Sequence, residues 1–103
     1  MGDGEIQEWS TMWGARVKVP CDMGDDMLKD AVETTRSVFE EFPDFENDGL
    51  KAAEAIKLAF DEKWTPNWHV VVGRGFGSFV THETKCFVYF YLDDKAVMMY
   101  KAG

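Results

Sequence analysis

The chain has 103 residues, enough for one domain with a modest core and too few for two. Hydrophobic residues make up 46% and aromatic residues 15% of it, which excludes a disordered composition, and no apolar run approaches the roughly 20 residues that span a bilayer. A net charge of -8 works against nucleic acid and acidic lipid as partners, because affinity for phosphate comes mainly from Lys and Arg releasing counterions.

Residues 1–14 contain glycine, are acidic at first and show no clear period. They read as a flexible N-terminal extension ahead of a domain over residues 15–103, with Trp9 and Trp13 apolar enough to dock somewhere. No cationic, apolar signal pattern stands at the start, and the two cysteines, Cys21 and Cys86, lie far apart, so a reducing, intracellular setting is expected. Residues 15–19 alternate Ala15, Val17 and Val19 against Arg16 and Lys18 and stop at Pro20, the pattern of an edge strand.

From Gly24 the apolar positions Met27, Leu28, Ala31, Val32, Thr35, Val38, Phe39 and Phe42 follow the steps of one helix face. Asp25 and Asp26 suit its first turn, where the helix dipole favours negative charge, and Pro43 closes it. A second helix is expected from Asn47 or Asp48, with Leu50, Ala53, Ile56, Phe60 and Trp64 inward, ending at Thr65 and Pro66. The period then changes to two, which predicts strands over residues 68–73, about 76–81, 86–92 and 96–101, with turns at residues 82–85 and 93–95. A strand, two helices and four strands, without strand and helix alternating, define an α+β class with a mostly antiparallel sheet.

The strand over residues 86–92 is apolar on both sides: Phe87, Tyr89 and Tyr91 face one way, and Val88, Phe90 and Leu92 the other. Two helices cover only one face. The other calls for a symmetric homodimer, sheet against sheet, or for the N-terminal extension folding back over it through Trp9 and Trp13.

Gly73, Gly75 and Gly77 after a run of valines suggest a phosphate loop, but the spacing is Gly-x-Gly-x-Gly and a strand pattern follows where a helix N-terminus is needed. The run is better explained as a crossover in which Gly73 and Gly75 supply unusual backbone angles and Gly77 admits another backbone. His69 begins a strand, where a core histidine is the ordinary explanation. His82 and Glu83 lack the spacing of a zinc helix and the cysteines are not paired in Cys-x-x-Cys, so neither a metal nor a cofactor is expected, and no catalytic triad is recognisable.

Pro66-x-Trp68-His69, Val72-Gly73-Arg74-x-Phe76-Gly77-Ser78, Val80-Thr81-His82-Glu83-Thr84-Lys85 and Phe87-x-Tyr89-Phe90-Tyr91-Leu92 closely resemble the LL-type dynein light chain family. The resemblance runs from about Val17 to Gly103 and is strongest after Phe60. It implies a homodimer in which the strand over residues 76–81 leaves its own subunit and completes the partner's sheet. Two symmetric grooves then take disordered peptides as added strands. Phe76, Gly77, Ser78, Phe79, Val80, Thr81 and His82 would form the strand side of each groove and Phe87, Tyr89 and Tyr91 its floor. His69, Phe76, Ser78, Phe79, Val80 and Thr81 would lie at the dimer interface, and protonation of His69 in mild acid would then weaken the dimer. The implied partners are the dynein intermediate chain and other disordered proteins with Thr-Gln-Thr-like motifs, in the cytoplasm on microtubule motors. The family's glutamate and lysine at the start of helix two are displaced or missing in Asn47-Asp48-Gly49-Leu50-Lys51. A motor-independent dimerisation hub is the alternative on the same fold, and a small nucleotide-binding enzyme is a more distant one.

Overall fold

A computed structural model describes residues 9–75 and 82–103. Helix α1 (Asp25–Glu41) starts directly after Gly24 with Asp25 and Asp26 in its first turn. Its buried face is Leu28, Ala31, Val32, Thr35 and Val38, with Met27, Phe39 and Phe42 packed at the margin of the core, as the periodicity predicts. Helix α2 (Phe45–Trp64) begins earlier than expected because Asp44, immediately after Pro43, caps it. The Asp44 carboxylate accepts the backbone N–H of Asn47 at 3.3 Å and its side-chain amide at 2.8 Å.

The inward stripe of α2 is Ala52, Ile56 and Phe60. Leu50, expected in that stripe, is instead 84% exposed. It precedes Ala52 by two positions, about 200° around the helix, so the two cannot share a face.

Among the described residues the helices cover one face of an antiparallel sheet of β1 (Trp9–Met12), β2 (Ala15–Lys18), β3 (Asp22–Met23), β4 (Trp68–Gly73), β5 (Cys86–Leu92) and β6 (Lys95–Lys101). The spatial order is β1-β2-β5-β6-β4, with the short β3 also pairing with β5. Phe90 opposite Val97 and Val88 opposite Met99 point at the helices. Tyr91 opposite Ala96, Tyr89 opposite Met98 and Phe87 opposite Tyr100 lie on the outer face. Phe60 of α2 meets Trp68 of β4 edge to face, with ring centroids 4.9 Å apart, and both are fully buried. Truncating such a ring to alanine costs about 3–5 kcal/mol.

Two expectations change. The flexible extension through residue 14 is corrected for residues 9–14: Trp9–Met12 form β1, in register with β2 from Trp9 opposite Lys18 to Met12 opposite Ala15. A two-residue turn makes this possible, since Trp13 at φ 51 and Gly14 at φ 83 both take the positive angles that match hairpin twist. β3 was not anticipated, because two residues are too few to carry a period. The strand expected over residues 76–81 lies outside the described residues. No helix among the described residues is long and apolar enough to cross a membrane.

A candidate groove beside an unpaired strand edge

β4 pairs with β6 from Trp68 opposite Lys101 to Gly73 opposite Ala96, and among the described residues no strand pairs with its other edge. Alternation turns Trp68, Val70 and Val72 toward the core and His69 and Val71 toward the outer face. α2 lies alongside. Phe45, Gly49, Leu50 and Ala53 from the helix and Val70, Val71 and Val72 from the strand bound a groove of about 590 Å³. A second stretch of about 530 Å³ shares Leu50, Ala53, Val70 and Val71 and continues toward Trp68, His69 and Tyr100. A strand edge with free N–H and C=O groups, set in a largely apolar trough, is a template for another strand.

Arg74 fixes the far end of β4. Its Nε and Nη2 donate to Glu46 Oε2 at 3.1 and 2.9 Å, its Nη1 donates to Asp94, and its guanidinium lies 5.4 Å from the centroid of the Phe45 ring. The hydrogen bond it donates to Glu46, with Asp94 nearby, raises the Arg74 pKa above its usual value. The cation of the glycine run is thus already shared by two carboxylates, which would repel a phosphate. Gly75 takes φ +150, and a Cβ there would stand 3.4 Å from the Tyr91 hydroxyl. Gly73, expected to need an unusual angle, is instead an ordinary strand residue opposite Ala96.

On the outer face Tyr89 and Tyr91 stack with centroids 6.1 Å apart. His82 stacks on Phe87 at 4.9 Å and His69 on Tyr100 at 5.0 Å. The structure therefore brings His82, Phe87, Tyr89 and Tyr91 onto one surface. Phe76, Gly77, Ser78, Phe79, Val80 and Thr81 lie outside the described residues. His69 is exposed within the single chain, not a core residue, and its Nε2 is 3.4 Å from the Ala102 carbonyl oxygen. Among the described residues no three His, Cys, Asp or Glu side chains cluster as metal ligands would.

The alternative in which the N-terminal extension folds back over this face is met by one of its two tryptophans. Trp9 of β1 reaches the same surface, edge-on to Tyr89 at 5.9 Å and to Tyr91 at 5.5 Å. The Arg16 guanidinium lies 4.8 Å from the Tyr91 centroid and 5.7 Å from that of Trp9, and Lys18 Nζ lies 5.6 Å from Trp9. The readable signal was Trp13-Gly14 between two short strand-like stretches.

Two helices on one face of an antiparallel sheet, whose outermost strand among the described residues borders a helix-lined groove, define a small α+β domain organised around a strand edge. The chain matches the family model of dynein light chain type 1 over residues 16–102, and it belongs to that family. It is 46% identical over 82 residues to a dynein light chain of Schistosoma mansoni, a match that covers 80% of this chain and 88% of that one. Its fold is similar to the dynein light chain-like domain of the Fasciola hepatica calcium binding protein FhCaBP2. One solved structure of that domain superposes with a TM-score of 0.79 at 15% identity, over 89% of this chain and 95% of the other. A second gives a TM-score of 0.75 at 14% identity, over 100% and 99%.

Proposed function

We propose that this protein is a non-catalytic, homodimeric light chain of the dynein motor complex, which binds short linear motifs of disordered partners by strand addition in two symmetric grooves. The observation that carries this is the edge of β4 that no strand among the described residues pairs with, lying in a largely apolar trough beside α2. In the family arrangement the partner's strand over residues 76–81 pairs with such an edge and the peptide pairs in turn with that strand. Backbone hydrogen bonds supply pairing, and side-chain pockets give selectivity. Two chains held by one dimer gain from effective concentration, so a weak single-site interaction becomes firm pairing. The dynein intermediate chain is the proposed partner in the motor, which places the protein in the cytoplasm on microtubules.

Gly49 and Leu50 favour a second reading, a motor-independent hub, because they line the groove with an uncharged stretch of α2 next to Ala53. Calorimetric titration separates the two. Binding to a dynein intermediate chain segment supports the motor role, whereas binding only to unrelated Thr-Gln-Thr peptides supports the hub. If neither binds at high micromolar concentration, the peptide-binding function is wrong. Gly77→Ala is expected to weaken peptide binding more than dimerisation, since a new side chain would stand where the peptide backbone belongs; equal loss of both contradicts that role for Gly77.

A further inference from the structure

We propose that Gly49 cuts a notch in the α2 wall of the groove, and that this notch takes a large apolar side chain, best an aromatic ring, from the bound peptide. The inference rests on the peptide-binding reading and names what that site selects.

Gly49 is the fifth residue of α2, past the capped first turn, where glycine is among the least favourable residues because it gives up the most backbone freedom. The fold does not ask for it. Gly49 has an ordinary helical backbone, and outside its own helix turn a Cβ there would meet only Val72 Cγ2, at 3.9 Å, a normal van der Waals contact. Alanine would therefore fit and would strengthen the helix. The missing side chain weakens α2 and leaves depth in the groove.

Its neighbours give the gap its shape. Phe45, Gly49 and Ala53 stand four residues apart, so they form one row along α2, and all three border the groove. A ring, a hydrogen and a methyl in that order leave a hollow beside the Phe45 ring and over Val72. Among the described residues bordering this stretch the charged ones are Glu46 and Arg74, which pair with each other at 2.9 Å. The hollow thus offers aliphatic surface and an aromatic wall, a seat that suits a second ring. An added strand turns only every second side chain to one side, so the notch reads a single peptide position.

The test uses fluorescein-labelled peptides with a Thr-Gln-Thr core in which each position in turn carries Phe or Ala, against the parent chain, Gly49→Ala and Gly49→Leu. At one position the parent chain should prefer Phe over Ala by about tenfold or more, the scale on which a pocket reads apolar size. Gly49→Ala should reduce that preference and Gly49→Leu abolish it, while the peptide with Ala there binds all three chains alike. Thermal denaturation supplies a second readout: the midpoint of Gly49→Ala should rise by roughly 2–8 °C, as alanine replaces glycine inside a helix. No preference for Phe at any position, an undiminished preference in both variants, or a lower midpoint for Gly49→Ala overturns the notch while leaving peptide binding intact. No binding by any of the three chains overturns the peptide-binding reading and this inference with it.

Discussion

Asp61 Oδ1 accepts the backbone N–H of Trp68 at 2.8 Å, so the last turns of α2 hold the first residue of β4 in place. The other carboxylate oxygen accepts from Lys57 Nζ, one turn back on α2. One side chain therefore sets where the groove strand begins relative to the helix that faces it.

Replacing Asp61 with alanine leaves the Trp68 N–H without that acceptor at a buried position, a loss of about 1–3 kcal/mol. Thermal denaturation at neutral pH should show a midpoint lower by roughly 4–8 °C per kcal/mol. Asp61→Asn keeps an acceptor oxygen and should lose less. The hydrogen bond from Lys57 is the main cause holding the Asp61 pKa below its usual value. Its contribution is therefore present above the unfolded value of about 3.9 and is lost as pH falls through the lower folded value. The stability gap between the parent chain and Asp61→Asn should narrow in acid; a gap that widens below pH 4 contradicts the assignment.

The two cysteines give an independent check of the sheet packing. Burial, and secondarily Asp22, pushes Cys21 up to about 11, and burial raises Cys86. Both thiols are free. With the thiolate as the reactive form, Cys21 at pH 7.5 carries roughly a hundredfold less nucleophile than an unperturbed thiol. A colorimetric disulfide reagent should therefore modify the native chain far more slowly than the chain unfolded in guanidinium. Fast modification of Cys21 in the native protein would show that Asp22–Met23 do not hold against β5.

Much of the fold was legible where apolar spacing was long and regular. The α1 stripe from Met27 to Phe42 and the two-sided strand from Cys86 to Leu92 both follow directly from alternation. What failed was short or depended on a single residue. Asp44 moved the α2 start because one carboxylate decides a cap, and Leu50 left the predicted stripe because Ala52, a small residue with little hydrophobic weight, marks the true buried face. The outer sheet face was one of two alternatives for covering by Trp9, but which rings it meets required the hairpin register, which the positive angles of Trp13 and Gly14 create. Phe87, Tyr89 and Tyr91 share one strand face, as alternation predicts, while the Arg74 link to Glu46 and Asp94 joins residues too distant in sequence for any pattern to pair.

His69 tests the proposed dimer. It sits on the outer face, stacked on Tyr100 at an interplanar angle of 15°, on the side of the sheet away from the helices. If that face meets a second copy, His69→Lys puts an unpaired ammonium into the seam, where an uncompensated buried charge is strongly unfavourable. Sedimentation velocity at low micromolar concentration should show the variant as a monomer and the parent chain as a dimer, with far-UV circular dichroism unchanged. A dimeric variant would mean that His69 faces water in the assembly.

Leu50 separates selectivity from stability. At 84% exposure it contributes little to the fold, so Leu50→Lys should change stability by no more than about 0.5 kcal/mol. It nevertheless borders both stretches of the groove, with Ala53 from the same helix and Val70 and Val71 opposite. Fully burying a leucine is worth about 1.5–3 kcal/mol, so a peptide residue that covers half of it loses on the order of tenfold in affinity when lysine replaces it. Peptides with an apolar residue at that point should weaken accordingly, and those with a carboxylate should tighten. The measurement is calorimetric titration of a peptide panel varied at one position, against both chains. Identical rankings would show that the bound peptide does not run past Leu50, and the α2 side of the trough would then have no part in selection.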